Sequence, residues 1–516
     1  MKKSIIAIVV CLAFAFGFAY SPAPADAAGI FKGHSKGWAG HVKKGGKLKG
    51  QSVEPAAAPL AAPSVAVQAA ALAEPGISAQ AVPLSAGIVP DVVVKADPAN
   101  MVSGYLADLD YVQMEWASRV GAEGERILPR VKSGQIVQID TINIVGLTRG
   151  NIEGNKALLT GWGVDPESEI GQTIINVAEH LTGGHVLTGP VYIEEAEPGD
   201  VLEVRILDLI LPVPYGRCQQ RPGAGAIPDL TPENYVKVVK MDIEKDMVLF
   251  DENIQFKTRP MMGIMGVAPP KGWTPGSREQ YGYTASSPPG PFAGNLDLWH
   301  LTRGATLYIP VFHEGALFYT GDAHGSQGNG EVTVNGIEMS LTGVFQFIVH
   351  KRDKLTGFMV DLSRPFAENK THYIPIGLGA REARDLNSAM VDATLQTIRF
   401  LEKEKGMSWQ EAFALASLRI DFEVTQVVDS TLGIHSMIEK SIWIHENKEY
   451  WYDHLDLLGA CDCLESAMVK FNAGKCITKA DGTPLFPAAC AAREAELKVC
   501  TDACDAYKNL IIGGGL

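Results

Sequence analysis

Residues 291–332 read PFAGNLDLWHLTRGATLYIPVFHEGALFYTGDAHGSQGNGEV. Two runs within this stretch, Thr306–Phe312 and Ala316–Thr320, are rich in β-branched and aromatic residues, which is typical of strands. The break at 313–315 ends in glycine and predicts a hairpin connection between them. The polar run that follows, residues 321–331, is therefore expected on a glycine-rich loop at a strand end, where a rigid scaffold usually presents chemistry.

Short alternating runs on both sides of this stretch predict further strands. They are bounded by Gly, Pro and Asp, and they lie at Ile136–Ile144, Val201–Ile210 and Val332–Leu341. Period-two alternation between turn residues is typical of half-buried sheets, and repeated strands of this kind favour a sandwich.

Helical patterns lie before and after these strands. Apolar residues recur at helical spacing over Tyr105–Val120 and Asn387–Lys405. Ser408 and Glu411 have the spacing of a capping box, which predicts a helix, and 420–428 alternates again as a strand. Strands followed by clustered helices predict an α+β protein: a β-sandwich-rich core with added helices, plus a small Cys-rich helical C-terminal tail.

Composition restricts the class of protein. The 516 residues are enough for two or three domains, and 46% hydrophobic with 20% charged residues is ordinary for a globular enzyme. A net charge of −14 argues against a nucleic-acid partner, because a phosphate backbone is bound through an excess of Lys and Arg.

The N-terminus has the pattern of a secretory signal peptide over residues 1–27. Lys2 and Lys3 precede an apolar run at 5–19, and Ala25-Asp26-Ala27 supplies the small-x-small cleavage pattern. The apolar run is shorter than the ~20 residues that a spanning helix needs. The protein is therefore expected to be exported to the periplasm or outside the cell, with no membrane span after cleavage.

Three segments are predicted after the signal peptide. Residues 28–98 are first rich in Lys and Gly and then in Ala and Pro, which is typical of a solvated tether and a semi-stiff linker. Contact of the basic part with an anionic surface is the alternative. Residues 99–455 are predicted to form the catalytic domain, and 456–516 a Cys-rich helical tail.

The cysteines are concentrated in that tail. Six of the eight are Cys461, Cys463, Cys476, Cys490, Cys500 and Cys504. In an exported chain this dense, even cluster predicts a disulfide framework, and a metal site is the less favoured alternative because no CxxC pair is present. Cys500 and Cys504 would share one helical face, so each is expected to bridge to a cysteine in 461–490.

Several motifs, in this order along the chain, resemble the acetamidase/formamidase family. They are HVLTGPVY at 185–192, AEPGDVL at 196–202, MGIMGVAP at 262–269, GNLD at 294–297, GDAHGSQGNGE at 321–331, DFEVTQVVD at 421–429, and His435. The resemblance covers about residues 135–445, and motifs in the right order are more specific than any one of them. It implies a β-sandwich core with added α+β elements and the hydrolysis of short amides such as formamide or acetamide.

The chain departs from the family pattern at three positions. Ala293 and Glu195 each replace a glycine, and Asn329 replaces the aspartate of the family's QGDGE element. Asn329 still offers an amide oxygen but carries no charge. This change is expected to weaken the binding of a second cation.

The chemistry of amide hydrolysis assigns roles to residues of these motifs. The reaction needs an activated water, a polarised carbonyl and a proton for the leaving amine. Oxygen and imidazole ligands suit a divalent ion such as Zn²⁺ or Ca²⁺, so a metal-activated water is the favoured hypothesis. The predicted metal ligands are Asp297, Asp322 and His324; the predicted catalytic residues are Glu331, His324 and Asp322; and the predicted substrate-binding residues are Asn295, Gln327 and His185.

A purely structural role is the alternative for each residue taken singly. An Asp beside a Gly often caps a turn, and a buried His is often only a packing residue. Asp322 and His324, two positions apart and able to face one ligand, favour function. The Pro- and Gly-rich stretch 268–293 leads into Asn295 and is expected to form a wall or lid of the site.

Other candidates are less favoured. His300 and His313 are interpreted as surface or packing residues, and His435 as a weaker site candidate. Cys218 is interpreted as a free thiol rather than a nucleophile, because an oxidising compartment is unsuitable for a thiolate. No GxSxG elbow supports a serine nucleophile.

Two hypotheses of function remain from the sequence. The first is an exported amidohydrolase that cleaves the C–N bond of short linear amides, with a small-molecule amide as its partner and a homo-oligomer compatible with the sequence. The second is an exported binding or structural protein that has kept the fold without turnover. Retention of Asp297, Asp322, His324 and Glu331 favours the first, and Asn329 with the extra tethers favours the second.

Overall fold

The structure is a computed structural model. It describes residues 88–103, 105–106, 109–110, 112–113, 128–181, 185–270, 273, 283–284, 286–380, 385–446, 450–457, 495 and 498–505. The chain divides into Met1–Pro75, which lies outside the described residues, and a compact unit, Gly76–Leu516, to which all the described residues belong.

Strands dominate the described part of this unit. In chain order they are β1 Val92–Val94, β2 Met101–Ser103, β3 Tyr105–Leu106, β4 Leu109–Asp110, β5 Val112–Gln113, β6 Arg130–Val131, β7 Ile136–Asp140, β8 Val186–Ile193, β9 Val201–Ile210, β10 Tyr215–Gln220, β11 Tyr235–Asp242, β12 Met247–Leu249, β13 Gln255–Lys257, β14 Met261–Gly266, β15 Tyr283–Thr284, β16 Ala293–Asn295, β17 Thr306–Pro310, β18 Phe318–His324, β19 Thr342–His350, β20 Phe366–Glu368, β21 His372–Leu378, β22 Asp421–Gln426 and β23 Gly433–Glu439.

Four of the α-helices in the described part of the chain lie in two pairs. They are α1 Ile152–Gly161, α2 Glu169–His180, α3 Leu386–Lys405 and α4 Trp409–Arg419. The Asp385 carboxylate accepts the first free amides of α3, and Gly406 ends that helix at φ 65°. The predicted capping box at α4 is confirmed, with Ser408 and Glu411 each accepting from the backbone of the other.

Two large sheets build the core. The nine-stranded sheet has the order β1-β7-β19-β9-β17-β20-β21-β23-β22, and the six-stranded sheet has the order β16-β14-β18-β8-β2 with β6 beside β8. A smaller sheet runs β10-β11-β12-β13. The predicted strands at Val201–Ile210 and in 136–144 are therefore confirmed as β9 and β7.

The two large sheets pack face to face through aromatic residues. Phe318 on β18 lies 4.8 Å, ring centre to ring centre, from Phe347 on β19 and 5.7 Å from Phe345. All three rings are fully buried. Burying one such ring stabilises the fold by about 2 kcal/mol. This is the sheet-on-sheet arrangement that the sequence predicts, and the mixed, sheet-rich architecture agrees with the α+β class.

The predicted hairpin in the central stretch is wrong. β17 and β18 both exist, but β17 pairs with β9 and β20, whereas β18 pairs with β8 and β14 in the other sheet. The chain crosses between the sheets through Ala316 and Leu317, whose φ values of 53° and 61° turn it away from a hairpin path. In these separate layers β17 is buried along its whole length and β18 is buried at all but one position.

Two further predicted elements differ in the structure. Tyr105–Val120 is not helical where it is described: β3 pairs with β4, and β5 pairs with β15. Short apolar runs are ambiguous between helix and strand, and here tertiary pairing decides. Val332–Leu341 is not a strand either, because Val334 at φ 73° and a turn break the alternation.

The two ends of the chain are described only in part. The predicted signal peptide and most of the predicted linker lie outside the described residues, although β1, at Val92–Val94, pairs in parallel with β7. In the tail, residues 498–505 are helical, and Cys500 and Cys504 are buried, while the cysteines predicted to pair with them lie outside the described residues. Among the described helices, none has the length and apolar character that a membrane crossing requires.

Candidate active site

Three neighbouring strands of the six-stranded sheet form the floor of the site. β14 lies between β16 and β18, with Ile264 opposite Asn295 on one side and opposite Gly321 on the other. Gly263 on β14 therefore lies between Asp297, just past the end of β16, and Asp322 on β18. The Asp297 amide donates to the Gly263 carbonyl at 3.2 Å, which fixes the chain where it leaves β16.

Asp297, Asp322 and His324 converge above this floor. The His324 ring lies 3.7 Å from Asp297 Oδ1 through Nδ1 and 3.8 Å from Asp322 Oδ1 through Nε2. Asp297 and His324 are buried, and Asp322 is nearly so. The prediction placed Asp322 and His324 on a loop, but both lie on β18 itself, so a strand rather than a loop holds them.

Glu331 and Asp429 reach the same place from other segments. The Gly330 amide donates to the Thr425 carbonyl, near the end of β22, at 3.0 Å. The Gly330 carbonyl in turn accepts from the Val427 amide at 3.2 Å. These bonds hold Glu331 close to Asp429. One oxygen each of Asp297, Glu331 and Asp429 lie within 4.8 Å of one another, and all three residues are buried.

Three acidic residues of the site have left-handed backbones. The φ angles are 47° at Asp297, 50° at Asp322 and 42° at Glu331. Non-glycine residues adopt such angles uncommonly, at a cost on the order of 1 kcal/mol each, and they cluster at functional sites. Among the four glycines of residues 321–331, only Gly330 has a positive φ. The strain lies in the acidic residues themselves.

Crowding of carboxyl groups changes how they hold protons. Burial, and then the charges of Asp429 and Asp322, raise the pKa of Asp297 well above its usual range. Burial, followed by Asp297 and Asp429, does the same to the pKa of Glu331. Like charges this close cannot all ionise, so a proton or a cation must be shared among them.

Asp322 and His324, by contrast, stabilise each other's charged forms. Burial alone would raise the pKa of Asp322, but His185 and His324 overcome it and lower the pKa to about 2. Burial would likewise lower the pKa of His324, but Glu338 and Asp322 raise it well above its usual range. Without a bound cation the site therefore favours a protonated His324, an ionised Asp322, and Asp297 and Glu331 carboxyl groups that keep their protons to a higher pH than usual.

The donor set fits a divalent cation. Asp297 Oδ1 and Glu331 Oε2 are buried without a hydrogen-bond partner among the described residues, and so is Asn295 Oδ1. Buried oxygens of this kind cost free energy unless something pairs with them. Carboxylates suit hard ions such as Ca²⁺, and a set that includes His324 suits Zn²⁺.

The three predicted substrate-binding residues all lie at this site. His185 Nε2 is 3.8 Å from Asp322 Oδ2, and its Nδ1 contacts Ser286 Oγ at 2.8 Å. Gln327 instead ties the site together, because its Oε1 contacts His324 Nδ1 and its Nε2 donates to the Asp297 carbonyl, both at 2.8 Å. Asn295 donates to the Ser287 carbonyl.

Two site residues are absent from the set that the sequence predicts. Glu338 and His324 are paired by an isolated antiparallel β-bridge, and Glu338 Oε1 lies 2.9 Å from His324 Nε2. It lies in the segment that was interpreted as a plain strand, and alternation alone gives no signal for it. Asp429 did carry a signal, because it ends the 421–429 motif.

His300 is not a surface residue. It is buried at 7% exposure beside Glu423 and His435, with its ring stacked on Trp299 at 3.8 Å. Burial, and then His435, lower the pKa of His300 to about 4. Asn329 donates its amide to Glu423 Oε2, so the departure from the family pattern lies beside this cluster.

Cys218 lies outside the acidic cluster. It is the free cysteine among the described residues, and its sulfur lies 3.6 Å from Thr333 Oγ1. Burial raises the pKa of this thiol, which favours the unreactive protonated form. The thiol chemistry therefore agrees with the prediction that Cys218 is no nucleophile.

Comparison with known proteins shows which family the chain is similar to. A model of the acetamidase/formamidase family matches residues 167–275 and 282–439, together just over half of the chain. An acetamidase from Mycolicibacterium smegmatis is 27% identical over 299 residues, 45% of this chain and 72% of that protein. A formamidase from Methylophilus methylotrophus is 24% identical over 309 residues, 48% of this chain and 74% of its own length.

A solved structure matches over a similar span. The crystal structure of an acetamidase from Bacillus halodurans has 25% sequence identity, covers 62% of this chain and 94% of that chain, and gives a TM-score of 0.47. The family match takes in every residue of the acidic cluster, from His185 to Asp429. This chain belongs to the acetamidase/formamidase family.

Proposed function

We propose that the protein hydrolyses the C–N bond of short linear amides, of the formamide or acetamide type, to a carboxylate and ammonia. Family membership supports amide hydrolysis in general. The observation that carries the proposal is the buried cluster of Asp297, Asp322, His324 and Glu331, with its left-handed acidic residues and unpaired oxygens. A fold alone would not justify the assignment, because function depends on the site.

The residues themselves provide binding and proton transfer. Asn295 Oδ1, which lacks a partner among the described residues, is free to accept an N–H of the substrate amide. Asp297 and Glu331 repel each other, so one can hold a proton while the other is ionised. The ionised carboxylate takes a proton from the attacking water, and the oxygen of that water bonds to the carbonyl carbon. Glu331 in its protonated form gives a proton to nitrogen as the C–N bond breaks.

Asp297, Asp322 and His324 would hold a divalent cation, Zn²⁺ or Ca²⁺. Such an ion supplies a Lewis acid that polarises an amide carbonyl and lowers the pKa of water towards neutrality. To act as a ligand, His324 must release one of its two ring protons, so ion binding and protonation oppose each other at this residue.

Ammonia release from a panel of small amides tests the proposal. The purified mature protein is assayed with formamide, acetamide and propionamide, before and after treatment with a chelator and after return of Zn²⁺ or Ca²⁺. We expect turnover of at least one amide, its loss with chelator and its recovery with one ion. A His324→Ala sample prepared in parallel controls for contaminating amidases. Absence of turnover in the wild type on every amide would favour the non-catalytic binding protein.

Gly263→Ala is expected to lower turnover by about 10²-fold, because misplacing a catalytic group by about 1 Å has an effect of this size. A Cβ at Gly263 would lie 2.4 Å from Asp297 Oδ1 and 2.8 Å from the Asp322 carbonyl, so the carboxylate must move. Gly328→Ala is the matched control, since a Cβ there meets nothing within 4 Å. The measurement is the steady-state kinetics of both variants, and thermal unfolding verifies that each is folded. Equal kinetics in the two variants would contradict this role of Gly263.

We also propose that the protein is exported and that its C-terminal tail is held by disulfides. The basic n-region, the apolar run and Ala25-Asp26-Ala27 support cleavage after residue 27. N-terminal sequencing of protein from the periplasm or medium should begin at Ala28. An uncleaved chain recovered from the cytoplasm would refute export.

A further inference from the structure

A second cluster of potential ligands lies apart from the acidic site. It consists of His300, Glu423 and His435, whose three ligand atoms lie within 4.8 Å of one another. The strongest charge interactions of His300 are with His435 and Glu423, whereas those of Asp297 are with members of the acidic cluster. The two sets share no residue.

Two paired strands and a ring stack position the residues of this cluster. Glu423 on β22 and His435 on β23 are directly opposite each other in the antiparallel pairing. His435 Nδ1 contacts Thr425 Oγ1 at 2.8 Å, which orients its ring and directs Nε2 towards Glu423. His300 enters from the segment after β16, held by its stack on Trp299.

Both imidazoles present an unpaired nitrogen to the centre of the cluster. His300 is 7% exposed and His435 is fully buried, yet Nε2 of each finds no hydrogen-bond partner among the described residues. Their Nε2 atoms lie 3.6 Å and 3.5 Å from Glu423 Oε2, which is too long for a hydrogen bond. Two buried ring nitrogens left in this state need a ligand.

The spacing suits a metal ion. Ligand atoms about 2.0 Å from a tetrahedral Zn²⁺ are separated by about 3.3 Å, close to the observed 3.5 and 3.6 Å. We propose that His300, Glu423 and His435 bind one transition-metal ion, such as Zn²⁺, at a site separate from the acidic cluster. Two imidazoles and one carboxylate make a borderline-soft donor set, which selects this class of ion over Ca²⁺.

The fourth position of the site is open. The Glu423 side chain is 35% exposed, so an ion can reach the cluster from solvent and keep a water ligand. Asn329 lies at this rim and donates to Glu423 Oε2. Its neutral amide orients the carboxylate but adds no charge, whereas an aspartate in the same place would add an anionic ligand.

Binding of Co²⁺ as a spectroscopic substitute for Zn²⁺ tests the site without reference to activity. The full mature chain is stripped with chelator, dialysed and titrated with Co²⁺, and the visible d–d absorption of a four-coordinate ion is measured. We expect one equivalent, with an intense band that Zn²⁺ displaces, when all titrations are made in a His324→Ala background, in which the acidic cluster has lost its imidazole ligand. His300→Ala and Glu423→Gln should each weaken binding by more than about 10²-fold, beyond the loss expected for an outer partner.

Matched variants separate this site from the acidic cluster. His180→Ala removes an exposed imidazole at the end of α2 and should leave the band unchanged. Asp322→Asn should also keep it, whereas Asn329→Asp should tighten binding by about tenfold. Circular dichroism establishes that each variant is folded. A band that survives both His300→Ala and Glu423→Gln, or one that only Asp322→Asn removes, would overturn the proposal, as would the absence of any band in the His324→Ala background itself.

Discussion

His324→Ala is expected to lower the turnover of a small amide by about 10²-fold or more. His324 is fully buried at the centre of the site, with its ring within 4 Å of Asp297, Asp322 and Glu338. Removing it leaves three carboxylates without their cationic or metal-linked partner. The measurement is kcat and KM for ammonia release, made on the same amide for wild type and variant.

Two further variants make this result interpretable. His324→Gln keeps much of the side-chain volume and tests whether alanine acts only by unfolding the protein. Cys218→Ser should leave turnover nearly intact, because its half-buried thiol lies outside the acidic cluster. Unchanged activity in His324→Ala together with collapse in Cys218→Ser would replace the proposed mechanism with a thiol route.

Glu331→Gln is expected to lower kcat by about 10²- to 10⁴-fold, the usual range for the loss of a general acid or base. The substitution preserves shape but cannot transfer a proton. Burial, Asp297 and Asp429 raise the pKa of Glu331, so the wild-type carboxyl remains protonated at a higher pH than an ordinary glutamate. Steady-state kinetics at several pH values provide the measurement.

The pH profile distinguishes proton transfer from a structural effect. Because the protonated form of Glu331 is the proposed donor, wild-type activity should fall as pH rises through this raised pKa. Glu331→Gln should lack that alkaline limb and show a flat, low rate there. A variant that keeps the limb, or that changes KM alone, would indicate that Glu331 only positions the substrate.

Much of the fold could be predicted because its signals are local. Alternation identified β7 and β9, and the capping box at Ser408 marked the start of α4. The strands at β17 and β18 were also identified, but their partners were not, since pairing depends on which distant strand buries each face. Adjacency in sequence favoured a hairpin, and layer packing overrode it.

The site could likewise be predicted only where its residues are close together in the sequence. Asn295, Asp297, Asp322, His324 and Glu331 all come from one stretch of about forty residues, and the structure brings them together. Glu338 contributes to the same site from a segment whose alternation gives no signal for it, whereas Asp429 is marked only by its place at the end of the 421–429 motif. The second cluster joins a histidine of the central stretch to a cross-strand pair more than a hundred residues later, a relation that one sequence alone does not reveal.

The crossing of the chain between layers also determines how the protein reaches its native state. Thr141 donates to the Leu341 carbonyl across 200 residues, and β9 lies between β17 and β19 although both follow it by about a hundred residues or more. Such non-local pairing requires loops to close, at an entropic cost, before the contacts stabilise them, so topologies of this kind fold on the scale of milliseconds to seconds. Asp297, Glu331 and Asp429 meet only after those loops have closed. Recovery of activity during refolding should therefore lag behind recovery of secondary structure.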